Sequence, residues 1–192
     1  MMADGKYLTL IPNYLYMYHT DEWVVLPEYP DSISDSLGSS FTSTNALSRT
    51  APVLSYNYSG PRKVQVQLHF HRDMLNEVNY KASNMVVEIG EDYVDALLRQ
   101  IQAIALPRYR ASQKEVIPPM IAIRFGNEVF IKGVVDGGIT IDYQKPILSN
   151  GKYAQITMSF SVTEVDPYDA DSVQKLGSFR GITQAFKDGI YK

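Results

Sequence analysis

Residues 63–73 read KVQVQLHFHRD. Val64, Val66, Leu68 and Phe70 alternate strictly with Gln65, Gln67, His69 and His71. In an extended chain the four apolar side chains share one face, and the amides and imidazoles share the other. That predicts a half-buried β-strand and decides the fold class, because a helix would scatter both sets. The same stretch carries His-x-His-x-Asp over His69, His71 and Asp73, the outline of a metal-hydrolase signature.

Residues two apart on a strand point the same way, so both imidazoles and Asp73 could converge on zinc or iron. Further ligands are scarce: position 74 is methionine, His19 is the one other histidine, and the chain has no cysteine. A binuclear centre is hard to assemble from that set. The strand reading therefore prevails; His69, His71 and Asp73 are expected on a solvated or partner-facing surface, with no catalytic residue, metal or cofactor. The acidic group Glu164, Asp166, Asp169 and Asp171 lacks the ligand spacing of an EF-hand. Gly133, Gly137 and Gly138 are too sparse for a phosphate cradle and predict a turn or bulge. No Gly-x-Ser-x-Gly elbow accompanies the serines.

Outward from this strand, VLSYNY from Val53 predicts its hairpin partner, with a turn at Ser59-Gly60-Pro61. Before it, residues 31–50 are crowded with serine, threonine and asparagine, an excursion that leaves the core. Its isolated apolar residues are Ile33, Leu37, Phe41 and Leu47. The first 26 residues predict short strands. From about Asp92 to Leu106 the period changes, placing Val94, Leu97, Leu98, Ile101 and Ile104 on one helical face, and Pro107 stops the helix. Two glycine turns, at Gly126-Asn127 and Asn150-Gly151, predict hairpins. In the last strand Gln155, Thr157, Ser159, Ser161 and Thr163 alternate with Ala154, Ile156, Met158, Phe160 and Val162. Apolar residues from Val173 to Phe186 at three- and four-residue steps outline a docking helix.

The 192 residues suit one domain with appendages, and 18 basic against 21 acidic side chains give a net charge of -3. Such a balance argues against a broad cationic face for nucleic acid. The absence of cysteine removes disulfides and thiolate zinc sites. No signal peptide and no membrane span is predicted, so the expectation is a chain made and soluble in a cytoplasm.

The order of these elements resembles the tail-tube fold of the contractile-injection-system tube protein family, and the first domain of the LysM-bearing baseplate proteins of contractile phages. Four segments carry the resemblance: SRTAPVLSYNYSGPRKVQVQLHFHRD (48–73), DYVDALLRQIQAIALP (92–107), PPMIAIRFGNEVFIKGVV (118–135) and AQITMSFSVTEVDPY (154–168). Only 24 residues follow Tyr168, too few for a LysM module, so peptidoglycan binding is not carried over.

The resemblance implies a mainly β, α+β chain: an antiparallel β-sandwich or barrel with one packing α-helix and a long β-hairpin excursion. Residues 1–168 would form the tail-tube-like domain, 31–50 its excursion and 169–192 a C-terminal extension. It further implies a homohexameric ring in a virion tail or baseplate, a hub or tube initiator between the central spike complex and the tail tube protein. The repeating tube subunit is the alternative within the class, and a small metal-dependent hydrolase using His69, His71 and Asp73 the alternative outside it. Either polar strand face, Gln65, Gln67, His69 and His71 or Gln155, Thr157, Ser159 and Ser161, would suit a water-filled lumen wide enough for DNA, without sequence-specific contact and without a membrane. The excursion, with Ile33, Leu37, Phe41, Leu47 and Arg49, would reach a neighbouring subunit.

Overall fold

The computed structural model describes residues 13–26, 29–45, 47, 50–72, 88–110, 112, 114–126, 129–166 and 169–171. The strands are β1 (Asn13–Met17), β2 (Glu22–Val25), β3 (Ser32–Ser36), β4 (Ser39–Thr44), β5 (Val53–Ser59) and β6 (Lys63–His71), and helix α1 (Tyr93–Ala103) follows. After it come β7 (Arg108–Arg110), β8 (Glu115–Ile117), β9 (Ile121–Phe125), β10 (Val129–Ile147) and β11 (Tyr153–Glu164). Every strand pairing is antiparallel. The chain is therefore mainly β with one packing helix among its described residues, as its alternating patterns predict.

Seven strands form one sheet in the order β2-β1-β9-β10-β11-β6-β3, and β4-β5 and β7-β8 form separate ribbons. The two edges of β10 pair over different lengths. Residues 129–133 of β10 pair with β9, whereas 133–147 pair with β11, and Gly133 alone is in register with both neighbours. Past Gly133 the β9-side edge of β10 has no strand partner among the described residues.

Both halves of the sheet feed one core. Leu15, Met17, Ile121, Ile123 and Ile131 come from one, Val64, Val66, Leu68, Phe70, Ile156, Met158, Phe160 and Val162 from the other. Helix α1 closes it with Val94, Leu97, Leu98, Ile101 and Ile104, each contributing ~1.5–3 kcal/mol by leaving water. A smaller aromatic cluster of Tyr14, Ala122 and Phe130 lies on the opposite side of β1 and β9, with Tyr16 and Tyr18 against it. Burial and a hydrogen bond from its hydroxyl to Asp21 push Tyr16 up to about 12.

Three local expectations are corrected. First, β5 does not turn back on β6 at Ser59-Gly60-Pro61; it pairs with β4, and β6 pairs with β3 and β11. The registers Ser36↔Lys63 and Ser39↔Ser59 run almost in line, joined by a bond from the Gly60 N–H to the Gly38 carbonyl at 2.8 Å. Residues 32–71 therefore make one long kinked hairpin, and Gly60-Pro61 marks the kink. Second, residues 31–50 do not leave the core throughout: β3 is an edge strand of the main sheet, and only β4 departs with β5 as an arm. Third, Phe125 pairs with Val129, so the hairpin turn after β9 holds three residues, beginning at Gly126 with φ +60°, instead of two. The expected helix over residues 173–186 lies outside the described residues.

Asp92 caps α1, its Oδ1 accepting the Asp95 N–H at 2.9 Å. Arg72 and Lys152 converge on Asp92 and Asp95, tying the end of β6 and the β10–β11 turn to the helix start. Burial opposes ionisation of Asp92, but the bonds from Lys152 and the Asp95 N–H and the charge of Arg72 outweigh it, so its carboxyl titrates below the usual range. A folded value depressed below the unfolded one gives stability that is complete above the unfolded carboxylate range, near pH ~4, and is lost as pH falls through the folded value. Asp92→Ala should lower stability at pH 7 by ~0.5–2 kcal/mol. Asp92→Asn, which keeps a capping oxygen, should flatten the acid limb of the stability profile; urea midpoints from pH 7 down to pH 2.5 measure both.

Candidate functional site

The two polar stripes weighed as alternatives prove to be one surface. In the β6–β11 register, Gln65 lies opposite Ser161, Gln67 opposite Ser159, His69 opposite Thr157 and His71 opposite Gln155. Antiparallel partners share a face, so both stripes point away from the core together. The surface extends to Thr140, Asp142 and Gln144 of β10 and to Ser32 and Ser34 of β3 through the flanking registers. It is a four-strand wall mainly of amides and hydroxyls, with the two imidazoles and the exposed carboxylate of Asp142 among them.

A groove of about 390 Å³ runs across the wall between Ser32, Gln65, Gln67, Ser159 and the bulge at Gly137 and Gly138. The bulge breaks register between Asp136 and Ile139, and both glycines have positive φ, +85° and +87°, as a non-glycine residue seldom does. At its rim Lys63 donates to Asp136 at 2.7 Å, and with Thr163 this holds the Asp136 carboxyl below its ordinary range.

His69 and His71 lie side by side with ring centroids 4.7 Å apart. Gln144 Nε2 donates to Thr157 Oγ1 at 3.2 Å, which leaves the threonine hydroxyl free to donate to His69 Nδ1 at 3.1 Å. His69 is thereby held in a hydrogen-bond chain crossing three strands. Among the described residues no group of three or more histidine, aspartate or glutamate side chains is placed to hold a metal, and Asp73 lies outside them. Of the acidic group, Glu164 is buried beside Arg62, while Asp166, Asp169 and Asp171 are exposed.

Arg62 was not singled out by sequence, yet it anchors the base of the long hairpin. Its side chain is 6% exposed, forks onto both Asp35 oxygens at 2.8 and 2.9 Å, and donates to the Phe130 carbonyl at 2.9 Å. Glu164 Oε2 stands 3.8 Å away. Asp35 and Ile33 share the core-facing side of β3, so the guanidinium ends the apolar core with a buried ion group.

Beyond Gly38 the β4–β5 arm leaves the domain. Phe41 packs edge-on against Tyr56 at 5.5 Å, and Leu54 shares that face by alternation, whereas a register shift sets Tyr58 opposite Ser40. The other face carries Ser40, Thr42 and Asn57, linked by bonds from Asn57 Nδ2 at 3.3 and 2.8 Å. The arm is amphipathic, but its apolar face is open: Phe41 is 53%, Leu54 65% and Tyr56 59% exposed. Of the excursion residues expected to act in assembly, Ile33 packs on the core, Leu37, Phe41 and Leu47 are exposed, and Arg49 is outside the described residues. Sequence reading missed Leu54, Tyr56 and Tyr58, although their spacing in VLSYNYS is the signal of an apolar strand face.

A second cavity, about 500 Å³, opens where α1 ends. His19, Thr20, Glu22, Ala103, Leu106 and Tyr109 line it. His19 is 4% exposed; its Nε2 bonds to the Ala103 carbonyl at 3.3 Å, and its buried Nδ1 has no partner within the described chain, nor has Thr20 Oγ1. A buried acceptor left without a donor costs ~1–3 kcal/mol.

No protein-family model matches the chain, and no curated protein does. Among solved structures the chain is similar to one described as "Tail of empty GTA particle computed with helical refinement, C6 symmetry", at 11% identity and a TM-score of 0.41, over 83% of this chain and 96% of that one.

Proposed function

We propose that this chain is a non-catalytic structural subunit of a phage tail or related injection machine. Six copies form a ring, a baseplate hub or tube initiator joining the spike complex to the tail tube, and the amide and hydroxyl wall lines the channel. The observation that carries the reading is the β6–β11 register, which merges two polar stripes into one hydrophilic surface, without a basic cluster and backed by the core. A wall of that kind neither grips a polyanion passing along it nor presents an apolar lining that would exclude water. The β10 edge past Gly133 and the outer strands β2 and β3 supply pairing edges for neighbours, and ring closure removes such edges from solution. The four sequence segments that resemble the tube family fall on β5–β6, α1, β9–β10 and β11, the elements that build the wall and its support.

Electron microscopy and sedimentation of the purified protein, alone and with neighbouring tail components, test this. Closed six-fold rings are expected. Long tubes formed spontaneously would identify the repeating tube subunit instead, and a monomer under every condition would overturn both readings. The arm gives a more pointed version. Phe41→Ser with Tyr56→Ser removes an exposed aromatic pair, so subunit stability should change by less than ~1 kcal/mol. Rings should nevertheless be lost, because a two-stranded ribbon is at best marginally stable in water and this one relies on a neighbour to cover its apolar face.

A further inference from the structure

We infer that His69 and His71 together take up one divalent ion of the nickel, copper or zinc type, in a binding site that lies within a single subunit. Side chains two apart on a strand point the same way, and the two imidazoles lie opposite Thr157 and Gln155 on one face of β6 and β11. With metal–nitrogen bonds of ~2.0–2.1 Å, two imidazoles bound to one ion at about 90–110° have ring centroids roughly 4.5–5.2 Å apart. The two rings stand 4.7 Å apart, tilted by 40°. Small rotations about their side-chain torsions close them on an ion without displacing the strand.

The ring of His69 is also supported as a ligand requires. A metal-bound imidazole gives its second nitrogen to a neighbour as an N–H donor, which fixes the ring orientation and tautomer. Thr157 Oγ1 lies 3.1 Å from His69 Nδ1, and Gln144 Nε2 lies 3.2 Å from the same hydroxyl. That chain of bonds can run in the opposite direction. With the Gln144 amide turned over, its oxygen accepts from the Thr157 hydroxyl, the hydroxyl accepts from Nδ1–H, and Nε2 is left with a bare lone pair. Thr157 is 6% exposed and sits on β11 between β6 and β10, so the support comes from inside the sheet.

The donor set selects the class of metal. Among the described residues the two rings are the protein's whole contribution, and both are half-buried, which leaves room for water to complete the coordination. The carboxylate in line with the pair, Asp142, lies two strands from His69, ~10 Å away. Imidazole without carboxylate suits nickel, copper and zinc, with copper(II) held most tightly, and disfavours magnesium and calcium.

The rest of the chain keeps the test simple: it has no cysteine, and its one other histidine, His19, is 4% exposed. Untagged protein is stripped with a chelator, the chelator is removed, and nickel(II) or copper(II) is titrated in by calorimetry. One ion per chain is expected, and the copper(II) form should show coupling to two imidazole nitrogens by electron paramagnetic resonance. His69→Gln with His71→Gln should abolish saturable binding, and its urea midpoint reports that the variant is folded. Thr157→Val should weaken binding about tenfold by removing the partner of Nδ1, and Thr157→Ser, which keeps the hydroxyl, should restore it. No saturable binding by the parent, or binding that survives the double substitution, overturns the inference. Equal affinity in Thr157→Val overturns the positioning of His69 by Thr157. Each of these results leaves the ring reading untouched, because the site needs no second copy.

Discussion

Arg62→Met is expected to destabilise the subunit by about 3–5 kcal/mol, the cost of removing one partner from a buried charge group. Arg62 is 6% exposed, and Glu164 beside it is 7% exposed, so neither has bulk water to replace the other. Methionine fills much of the same volume, and the loss reports the charge and the bonds donated to Asp35 and Phe130. Arg62→Lys should recover only part, because an ammonium cannot fork onto a carboxylate and reach a carbonyl at once. The effect should be local as well as global. Asp35 is the point at which β3 is fastened, so amide exchange of residues 32–36 should rise more than that of α1. Urea denaturation with exchange measurements checks both, and an Arg62→Met protein within ~1 kcal/mol of the parent would show that the group contributes little.

Gly133→Ala should cost at least ~3 kcal/mol, at the upper end for an overpacked site. A Cβ there would lie 2.1 Å from the Thr163 carbonyl oxygen and 2.7 Å from its carbon. These are backbone atoms of β11 and cannot rotate aside as a side-chain tip would. Because Gly133 is the one residue of β10 in register with both β9 and β11, displacing β11 there strains the point at which the two ladders meet. Gly137→Ala is the control. Its Cβ would meet nothing within 4 Å, so it should cost only the ~1–2 kcal/mol of an alanine at positive φ. Equal losses at the two positions would show that backbone conformation, not the close approach, dominates at Gly133.

Local pattern carried much of the fold. Strict alternation found β6 and β11, the 3.6-residue period found α1, and Asn150-Gly151 found the β10–β11 turn, where Gly151 has φ +80°. What stayed hidden was the choice of neighbours. Gly60-Pro61 has the composition of a hairpin turn, yet β5 follows β4 back from the arm tip, and nothing near residue 60 distinguishes a kink from a reversal. The two polar stripes looked like rivals because their shared face depends on a pairing between residues almost ninety positions apart. Arg62 read as an ordinary surface base, since its burial is decided by Asp35, Phe130 and Glu164 arriving from three other strands. The cavity at His19 likewise depends on the β1–β2 turn meeting the end of α1.

The order of the sheet also bears on how the subunit is made. β6 is complete at residue 71, but β11, which lies along its whole length, ends only at residue 164. At ~5–20 residues per second, a ribosome needs roughly five to twenty seconds to supply that partner. β1 waits similarly for β9. Until then the nascent chain can form the long hairpin and α1, but Val64, Val66, Leu68 and Phe70 form an apolar strip whose second strand neighbour does not yet exist. Pairings this distant in sequence also close slowly once the chain is free. The yield of native subunit therefore depends on what else comes within reach of the open edge of β6 while β11 is still being synthesised.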